Sequence, residues 1–471
     1  MQQPDPLAAS YDLLVVGGGI NGAGIARDAA GRGLSVLLVE RDDLASATSS
    51  SSSKLIHGGL RYLEQYEFRL VAEALAEREV LLGTARHLVW PARFVMPHVP
   101  ELRPRWMIRT GLFLYDHLGA FAPALGARQA SLPGSHGVRL DRPPLNSGLK
   151  GELTHGFEYS DCRVDDARLV VANAMSARDL GAGVLTRIEC VSARRESGRW
   201  RAALSDGREL YTRAIVNAAG PWVKKILNER LAQPSGDAVR LVKGSHIVLP
   251  KLYEGDHAFI LQNDDRRVVF MIPYEGRFTL VGTTDVPVDQ AERPVAAAEE
   301  VEYLCRAVNR YLAKPARAAE ALWRYAGVRP LYDDGSSDPS AVTRDYTLRV
   351  DDEAGAAPVL SVFGGKITIY RRLAEHAMEK LSPYFPGMKG AWTARAPLAG
   401  SDFGDAGREG ARAALEGRYA RVSGAMLRAL FRRHGALTPD VLGVPAVVAA
   451  RGGQVRRDLS SGDVALDRAD G

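Results

Sequence analysis

The chain has little cysteine: Cys162, Cys190 and Cys305 are the only three in 471 residues. An odd count without metal-ligand spacing excludes a disulfide framework and a zinc cluster, so buried thiols in a reducing compartment and no metal site are expected. No apolar run reaches the roughly 20 residues of a spanning helix. The opening MQQPDPLAAS lacks the apolar stretch of a signal peptide and runs directly into a strand-like segment, which argues against export. Aromatics supply 7% of the residues and no dense Lys/Arg patch interleaves with them, which excludes nucleic acid as a partner. A formal net charge of +5 leaves an anionic substrate or an anionic membrane surface within reach. The 46% hydrophobic and 25% charged content is that of a soluble globular protein, with room for two or three domains.

What the chain does have is concentrated in residues 11–40, YDLLVVGGGINGAGIARDAAGRGLSVLLVE. Leu13-Leu14-Val15-Val16 is short and β-branched, as a buried parallel strand is. Gly17, Gly19 and Gly22 follow in the G-x-G-x-x-G spacing. The first permits a tight turn, the second lets a pyrophosphate approach bare backbone, and the third lets a helix lie close on the strand. Diphosphate at that helix N-terminus meets unpaired N–H groups and the positive end of the dipole. A second strand ends at Glu40, roughly 20 residues on, where an acid can hold a ribose hydroxyl. The acid favours the ADP of FAD or NAD over NADP.

Residues 44–69, LASATSSSSSKLIHGGLRYLEQYEFR, open like a flexible serine linker, yet their place after the ribose strand suits a phosphate- or flavin-holding loop. Lys54, His57, Gly58, Gly59, Arg61 and Tyr62 bring a base, cations and pliant backbone together; the plainer alternative is that Arg61 and His57 pair with nearby acids. In residues 102–118, LRPRWMIRTGLFLYDHL, Arg103, Arg105 and Arg109 sit among Trp106, Phe113 and Leu114. An interfacial membrane helix and a core helix with solvated arginines share that composition. Asp165 and Asp166 precede a helical run and read as N-cap residues. Residues 214–222, ending in Asn217-Ala218-Ala219-Gly220-Pro221-Trp222, form a strand whose small-residue end can crowd the dinucleotide from the other side. From 241 to 285 alternation with turns at Asp264-Asp265 and Glu275-Gly276 predicts an antiparallel meander carrying His246. Arg329 stands before a proline expected to end pairing and aim the guanidinium into a cavity, and Arg344 follows a Gly/Ser/Asp loop. Strand, Gly364-Gly365, Lys366 and a helix starting near Ile367 close the series.

Together the glycine stretch, TSSSSSKLIHGGLRYLE, EFRLVAEALAERE, GFEYSDCRVDDARLV, NAAGPWVKK, LVKGSHIVLP, VGTTDV, GVRPLYDD, TRDYTL and SVFGGKITIYRRLAEHA resemble the FAD-dependent glycerol-3-phosphate dehydrogenase family, the aerobic, quinone-linked type. The resemblance runs from residue 11 to about 392. Ala219 and Ile369 stand where the family pattern has threonines. The resemblance implies an α/β fold: a Rossmann-like, discontinuous FAD-binding domain of the glutathione-reductase type, an antiparallel-sheet substrate domain and a truncated helical C-terminal domain. The expected divisions are 11–90, 151–235 and 330–388, then 91–150 with 236–329, then 389–471. Beyond about 442 the family's further helices have no counterpart in the sequence.

It further implies FAD held around Gly17, Gly19, Asn21, Gly22, Glu40, Arg41, Thr48, Ser49, Ser53, Lys54, Ala219, Gly220, Gly364, Gly365, Lys366 and Thr368. Arg61, Tyr62, Arg329, Arg344 and Lys366 would bind sn-glycerol 3-phosphate; His57 or His246 would act as base, and Arg329 would count among the catalytic residues as well. Hydride would pass from C2 to flavin N5, giving dihydroxyacetone phosphate, and quinone would take the electrons. Such an enzyme is expected on the inner face of the cytoplasmic membrane, held peripherally by residues 102–118, and a homodimer is compatible with the family. The alternatives are a dioxygen-using oxidase, an amino-acid-oxidising flavoenzyme with the same opening fingerprint, and an inactive product of the altered C-terminus.

Overall fold

The strand Ser10–Val16 is buried on both faces beyond its first turn, as its continuous apolar run demands. The computed structural model describes residues 10–118, 131–233, 236, 239–265, 267–332, 345–352 and 355–443, with Arg61 by its backbone alone. In the first sheet, Val359–Gly364, Glu209–Asn217, Ser10–Val16, Val36–Glu40 and Gly183–Thr186 lie side by side and parallel. Tyr346–Asp351 adds antiparallel at one edge, and the hairpin Cys190–Glu196/Arg199–Leu204 adds to Glu209–Asn217. Leu13, Val15, Ile25, Leu38, Val216, Leu360, Leu373 and Met378 share one core, which seats helices Ile20–Gly31 and Tyr370–Leu381 on the sheet. Val16 lies beside both Val39 and Asn217, so the strands stop at one edge, where open parallel sheets bind their ligands.

The second sheet is mostly antiparallel, and the meander Val239–Pro250, Phe278–Gly282, Val268–Tyr274 and Ala258–Gln262 forms its middle. Ile247, Phe259, Met271 and Val281 pack against Leu304 and Val308 of helix Ala298–Asn309. The two-residue alternation of strands then turns His246 and Val248 to the other face. Val89–Pro97 and His155–Val164 continue this sheet, paired along their whole length, and Leu55–Ile56 joins its end. His155–Val164 and Leu55–Ile56 therefore fall outside the expected division, which placed them with the dinucleotide-binding segments.

Three local expectations change. Pro330 does not end pairing: Trp323–Tyr332 runs antiparallel to Val239–Pro250 through Leu241↔Pro330 to Val239↔Tyr332. It is an edge strand, where a missing N–H is tolerated. The last helix of the first layer begins at Tyr370, after a turn closed by Ile369 N–H to the Lys366 carbonyl. Asp165 does cap helix Asp166–Asp179 through Arg168 N–H, but Asp166 turns its carboxylate to another task.

Helix Arg105–Leu118 buries Ile108, Leu112 and Tyr115 and exposes Trp106 (69%), Met107, Phe113 and Leu114. Tyr66 (80%) and Phe68 in the neighbouring turn are exposed as well. Two arginines of residues 102–118 are less free than the sequence suggests: Arg103 pairs with Glu64 and bonds Gln262, and Arg109 bonds Ser135. Helices Gly407–Arg418, Gly424–His434 and Thr438–Leu442 bury Tyr419, Leu427, Leu430 and Phe431 in a small core of their own. The cysteines are buried free thiols. No helix among the described residues is long and apolar enough to cross a membrane.

Helix Phe68–Thr84 is tied to helix Tyr370–Leu381 by Arg371, which bonds Glu77 and Glu375 and donates to Thr393 Oγ1 at 3.0 Å. All four are buried. Burial pushes the Glu77 carboxyl up, and Arg371 opposes that shift. Arg371→Met should cost about 3–5 kcal/mol in a denaturant titration, because it strands the buried Glu77 carboxylate, whereas Glu375 keeps Arg372 and Thr393. A loss under about 1 kcal/mol, the size of an exposed pair, would show that water already reaches the cluster.

Candidate active site

The turn after the first strand is shaped by missing side chains. Gly17 has φ +115°, and a Cβ there would lie 2.5 Å from the Ala218 carbonyl oxygen. A Cβ on Gly22 would lie 1.9 Å from the Gly17 carbonyl oxygen, so the helix approaches the strand only without one. At Gly19 the only near neighbour is Ser49 Oγ, at 3.2 Å, so the turn is open there. Gly19 is the N-cap and carries no capping side chain, while Ile20 N–H donates to Ser49 Oγ at 3.0 Å. Glu40 accepts from Gly18 N–H at 2.6 Å and Asp42 N–H at 2.8 Å, which fixes the acid beside the glycines. An open backbone turn, a dipole end and a fixed acid fit the ADP half of a dinucleotide. Gly220, with φ +56° and open space where a Cβ would go, flanks the same edge beside Ala219. Arg41 stacks on Trp222 at 4.5 Å and pairs with Asp42.

The serine stretch is an anchored loop rather than a linker. Ser52 Oγ and Lys54 Nζ both reach the buried Asp166 carboxylate at 2.7 Å, and Lys54 also donates to the Ser50 carbonyl. Burial pushes the Asp166 carboxyl up, and Lys54 opposes it most. Thr48 Oγ1 donates to the Val328 carbonyl at 2.6 Å, and Tyr325 Oη to the Ser52 carbonyl at 2.8 Å. Thr48, Ser53 and Lys54 thus bond to the protein itself and set the loop's shape. Farther along, Gly58 N–H donates to Tyr115 Oη, which donates to Asp161. Burial lifts that carboxyl to about 6, against Arg78.

At the loop's centre Ser53 Oγ lies 2.8 Å from His246 Nε2. The imidazole stacks on Tyr325 at 4.9 Å and 11°, and its Nδ1 is buried without a hydrogen-bond partner among the described residues. Burial, reinforced by Arg329 and Lys54, pushes its pKa down to about 3, so it is neutral. Gly282 stands opposite, and a Cβ there would lie 2.0 Å from His246 Cδ2. Arg329 donates to the Thr284 carbonyl at 2.9 Å and to Asp285 at 2.6 Å. His57 is half-buried and edge-on to Phe270 at 6.2 Å; Phe270 is the other register partner of Gly282, so both histidines border one strand pair. His57 N–H reaches Thr368 Oγ1, and Lys366 Nζ sits 3.8 Å over the Tyr62 ring. Asn21 Nδ2 donates to the Gly364 carbonyl at 3.2 Å, bringing the 364–369 turn against the first helix. The positive φ of Gly364 and Gly365 makes that turn possible.

Of the residues singled out from sequence, Gly17, Gly19, Asn21, Gly22, Glu40, Ser49, Ser53, Lys54, His57, His246, Arg329, Lys366 and Thr368 are linked by these contacts. Arg344 and the Arg61 side chain lie outside the described residues. Sequence reasoning missed Ser52, Asp166 and Tyr325, whose roles depend on partners more than 70 residues away, and Gly282, whose partner His246 lies on another strand of the meander.

The family model for FAD dependent oxidoreductases matches residues 12–368. Glycerol-3-phosphate dehydrogenase of Pseudomonas aeruginosa is 59% identical over 403 residues, 84% of this chain and 76% of that one. The chain belongs to the FAD-dependent glycerol-3-phosphate dehydrogenases. A relative named D-erythritol 1-phosphate dehydrogenase, from Brucella abortus, is 52% identical over 92% of this chain and 85% of its own. The glycerol-3-phosphate dehydrogenase of Bacillus halodurans, solved in complex with FAD, superposes with a TM-score of 0.68 at 26% identity, covering 92% of this chain and 77% of that one. As in this dehydrogenase family, the cofactor is FAD, and the glycine cradle is built to admit it.

Because a Cβ at Gly19 would meet only the Ser49 hydroxyl, at 3.2 Å, which a small shift relieves, Gly19→Val should fold yet purify with little flavin. Full flavin content in the folded variant would remove the pyrophosphate from this turn. A second expectation concerns acid. The unfolded chain binds a proton near 6.5 that the folded His246 refuses until about 3, so stability falls as pH drops below 6.5. Between pH 7.5 and 5.5 this should cost about 1.4 kcal/mol in a denaturant titration, a cost that His246→Gln escapes. Equal pH losses in parent and variant would mean that the ring is solvated.

Proposed function

We propose that the chain oxidises sn-glycerol 3-phosphate to dihydroxyacetone phosphate and passes the electrons to quinone at a membrane surface. The observation that carries this is Arg329, held by Asp285 beside a neutral buried imidazole, on a chain so similar to glycerol-3-phosphate dehydrogenases. FAD, when bound, supplies the hydride acceptor. Arg329 and Lys366 hold the substrate phosphate, the first with a forked grip and the second as a point charge; Arg61, Arg344 and Tyr62 complete that reading. His57 takes the C2 hydroxyl proton. Its ring is half-buried, whereas His246 is sealed, bonded to Ser53 and a very weak base. A base works best with a pKa near the operating pH. His246 instead keeps a neutral dipole beside the cations and props the loop that carries His57.

Arg329→Ala should raise KM for glycerol 3-phosphate far more than for glycerol, since a charge-assisted bond contributes roughly 1.5–3 kcal/mol. Equal losses on both would remove the phosphate role. In stopped flow, His57→Ala should slow flavin reduction while leaving substrate affinity near that of the parent, and His246→Gln should not match it. If the two effects were reversed, His246 would be the base. A second reading comes from the Brucella relative: the substrate is a longer phosphorylated polyol. Comparing kcat/KM for glycerol 3-phosphate and D-erythritol 1-phosphate decides between them.

The membrane reading rests on the six large apolar side chains exposed on and beside helix Arg105–Leu118. Tyr115 of this helix bonds Gly58, next to His57, so the docking face and the reacting loop share a support. With Arg103 and Arg109 occupied, burial of Trp106, Met107 and Phe113 in the acyl boundary carries the binding. Trp106→Ser with Phe113→Ser should therefore lower activity with a membrane quinone and leave activity with a soluble dye. Undiminished sedimentation of the variant with vesicles would move the docking face elsewhere, and rapid turnover on dioxygen alone would favour an oxidase.

A further inference from the structure

Away from the flavin edge, the second sheet meets the C-terminal helices Gly407–Arg418 and Gly424–His434 across a cavity of about 660 Å³. Arg163, Arg408, Arg428 and Arg432 line it, with Glu275 as the one carboxylate in the wall. Glu275 pairs with Arg432 at 2.5 Å. Among the described residues Arg163, Arg408 and Arg428 have no carboxylate partner, and Nε of both Arg408 and Arg432 is buried without an acceptor. Arg163 lies under the Trp90 ring at 5.9 Å. Burial lowers the pKa of its guanidinium, and Arg432 adds to the effect.

Glu275 occupies Arg432, which leaves Arg163, Arg408 and Arg428 of the same wall without a carboxylate partner among the described residues. A multivalent anion between them would bridge these guanidiniums and reach the buried Nε atoms of Arg408 and Arg432. Guanidinium forks match phosphate oxygens two at a time. The volume falls in the range of small-molecule sites, roughly 300–1,000 Å³. Trp90 and the two alanines of the wall, Ala425 and Ala429, give an apolar side for the rest of a ligand. We propose that this cavity is a second anion site, distinct from the flavin site, that takes a phosphate-bearing ligand between the cap sheet and the C-terminal helices. The site stands beside the reacting loop. Arg163 is the strand neighbour of Leu55, and the next residue, Val164, donates its N–H to the Lys54 carbonyl at 3.0 Å.

The phosphate can belong to a free metabolite or to a lipid headgroup, and two arms separate these. In the first, the FAD-loaded chain is titrated with inorganic pyrophosphate by calorimetry, beside Arg408→Glu/Arg428→Glu and the exposed single variant Arg428→Gln. Anion binding at the flavin edge is common to all three proteins and cancels in the comparison. The double variant should bind at least tenfold more weakly and Arg428→Gln at least threefold, with flavin reduction by glycerol 3-phosphate unchanged in both. In the second arm, phosphatidylcholine vesicles with and without phosphatidylglycerol are sedimented with the same proteins. Loss of pyrophosphate binding in the variants supports a free phosphate ligand. Loss of the phosphatidylglycerol dependence alone supports a lipid headgroup. The unchanged thermal midpoint of Arg428→Gln guards against misfolding. If all three proteins bind pyrophosphate and both kinds of vesicle alike, the proposal is overturned.

Discussion

The Asp166 carboxylate is the point on which the site's geometry hangs. It begins a helix of the first layer and is almost wholly buried, yet it holds Ser52 and Lys54 of the loop that leads to the second sheet. A charge so placed is costly unless paired and hydrogen-bonded, and here it is both. The loop is thereby fixed at one end, and Ser53 meets His246 of the meander. That clamp is joined by Thr48 on Val328, Tyr325 on Ser52 and the pairing of Leu55–Ile56, which together hold the serine stretch and place His57.

The same economy of charge governs the reacting edge. Lys54 and Arg329 each have an acid partner, Asp166 and Asp285, so they are held in place by the protein. Between them His246 is kept neutral by burial and by these same cations. An added imidazolium would repel both. The result is an edge whose cations are held by acids and whose buried imidazole stays uncharged. Gly282 and Gly17 matter for a complementary reason: each is a place where a missing side chain lets another group close in, a ring in one case and a carbonyl in the other.

The strand, helix, strand and acid of residues 11–40 were legible because the constraint is local: each glycine answers to atoms within a few residues or to the adjoining strand end. The meander was legible from alternation, and the small C-terminal core from Leu427, Leu430 and Phe431 at helical spacing. What escaped was long-range. Asp166 reads as a cap, since its neighbour Asp165 is one, and nothing nearby reveals that it faces Lys54 from 112 residues away. Pro330 reads as a strand end because the sequence does not say that its strand is an edge. His155–Val164 carries residues suited to either sheet, and only its pairing with Val89–Pro97 assigns it.

The central claim is that this chain binds FAD and reduces it with a phosphorylated polyol. The most direct test is to purify the full chain, record its visible spectrum and add glycerol 3-phosphate without oxygen. The account predicts a yellow protein that bleaches on addition of glycerol 3-phosphate and stays yellow with glycerol at the same concentration. A colourless protein, or a yellow one that no phosphorylated polyol bleaches, would contradict it.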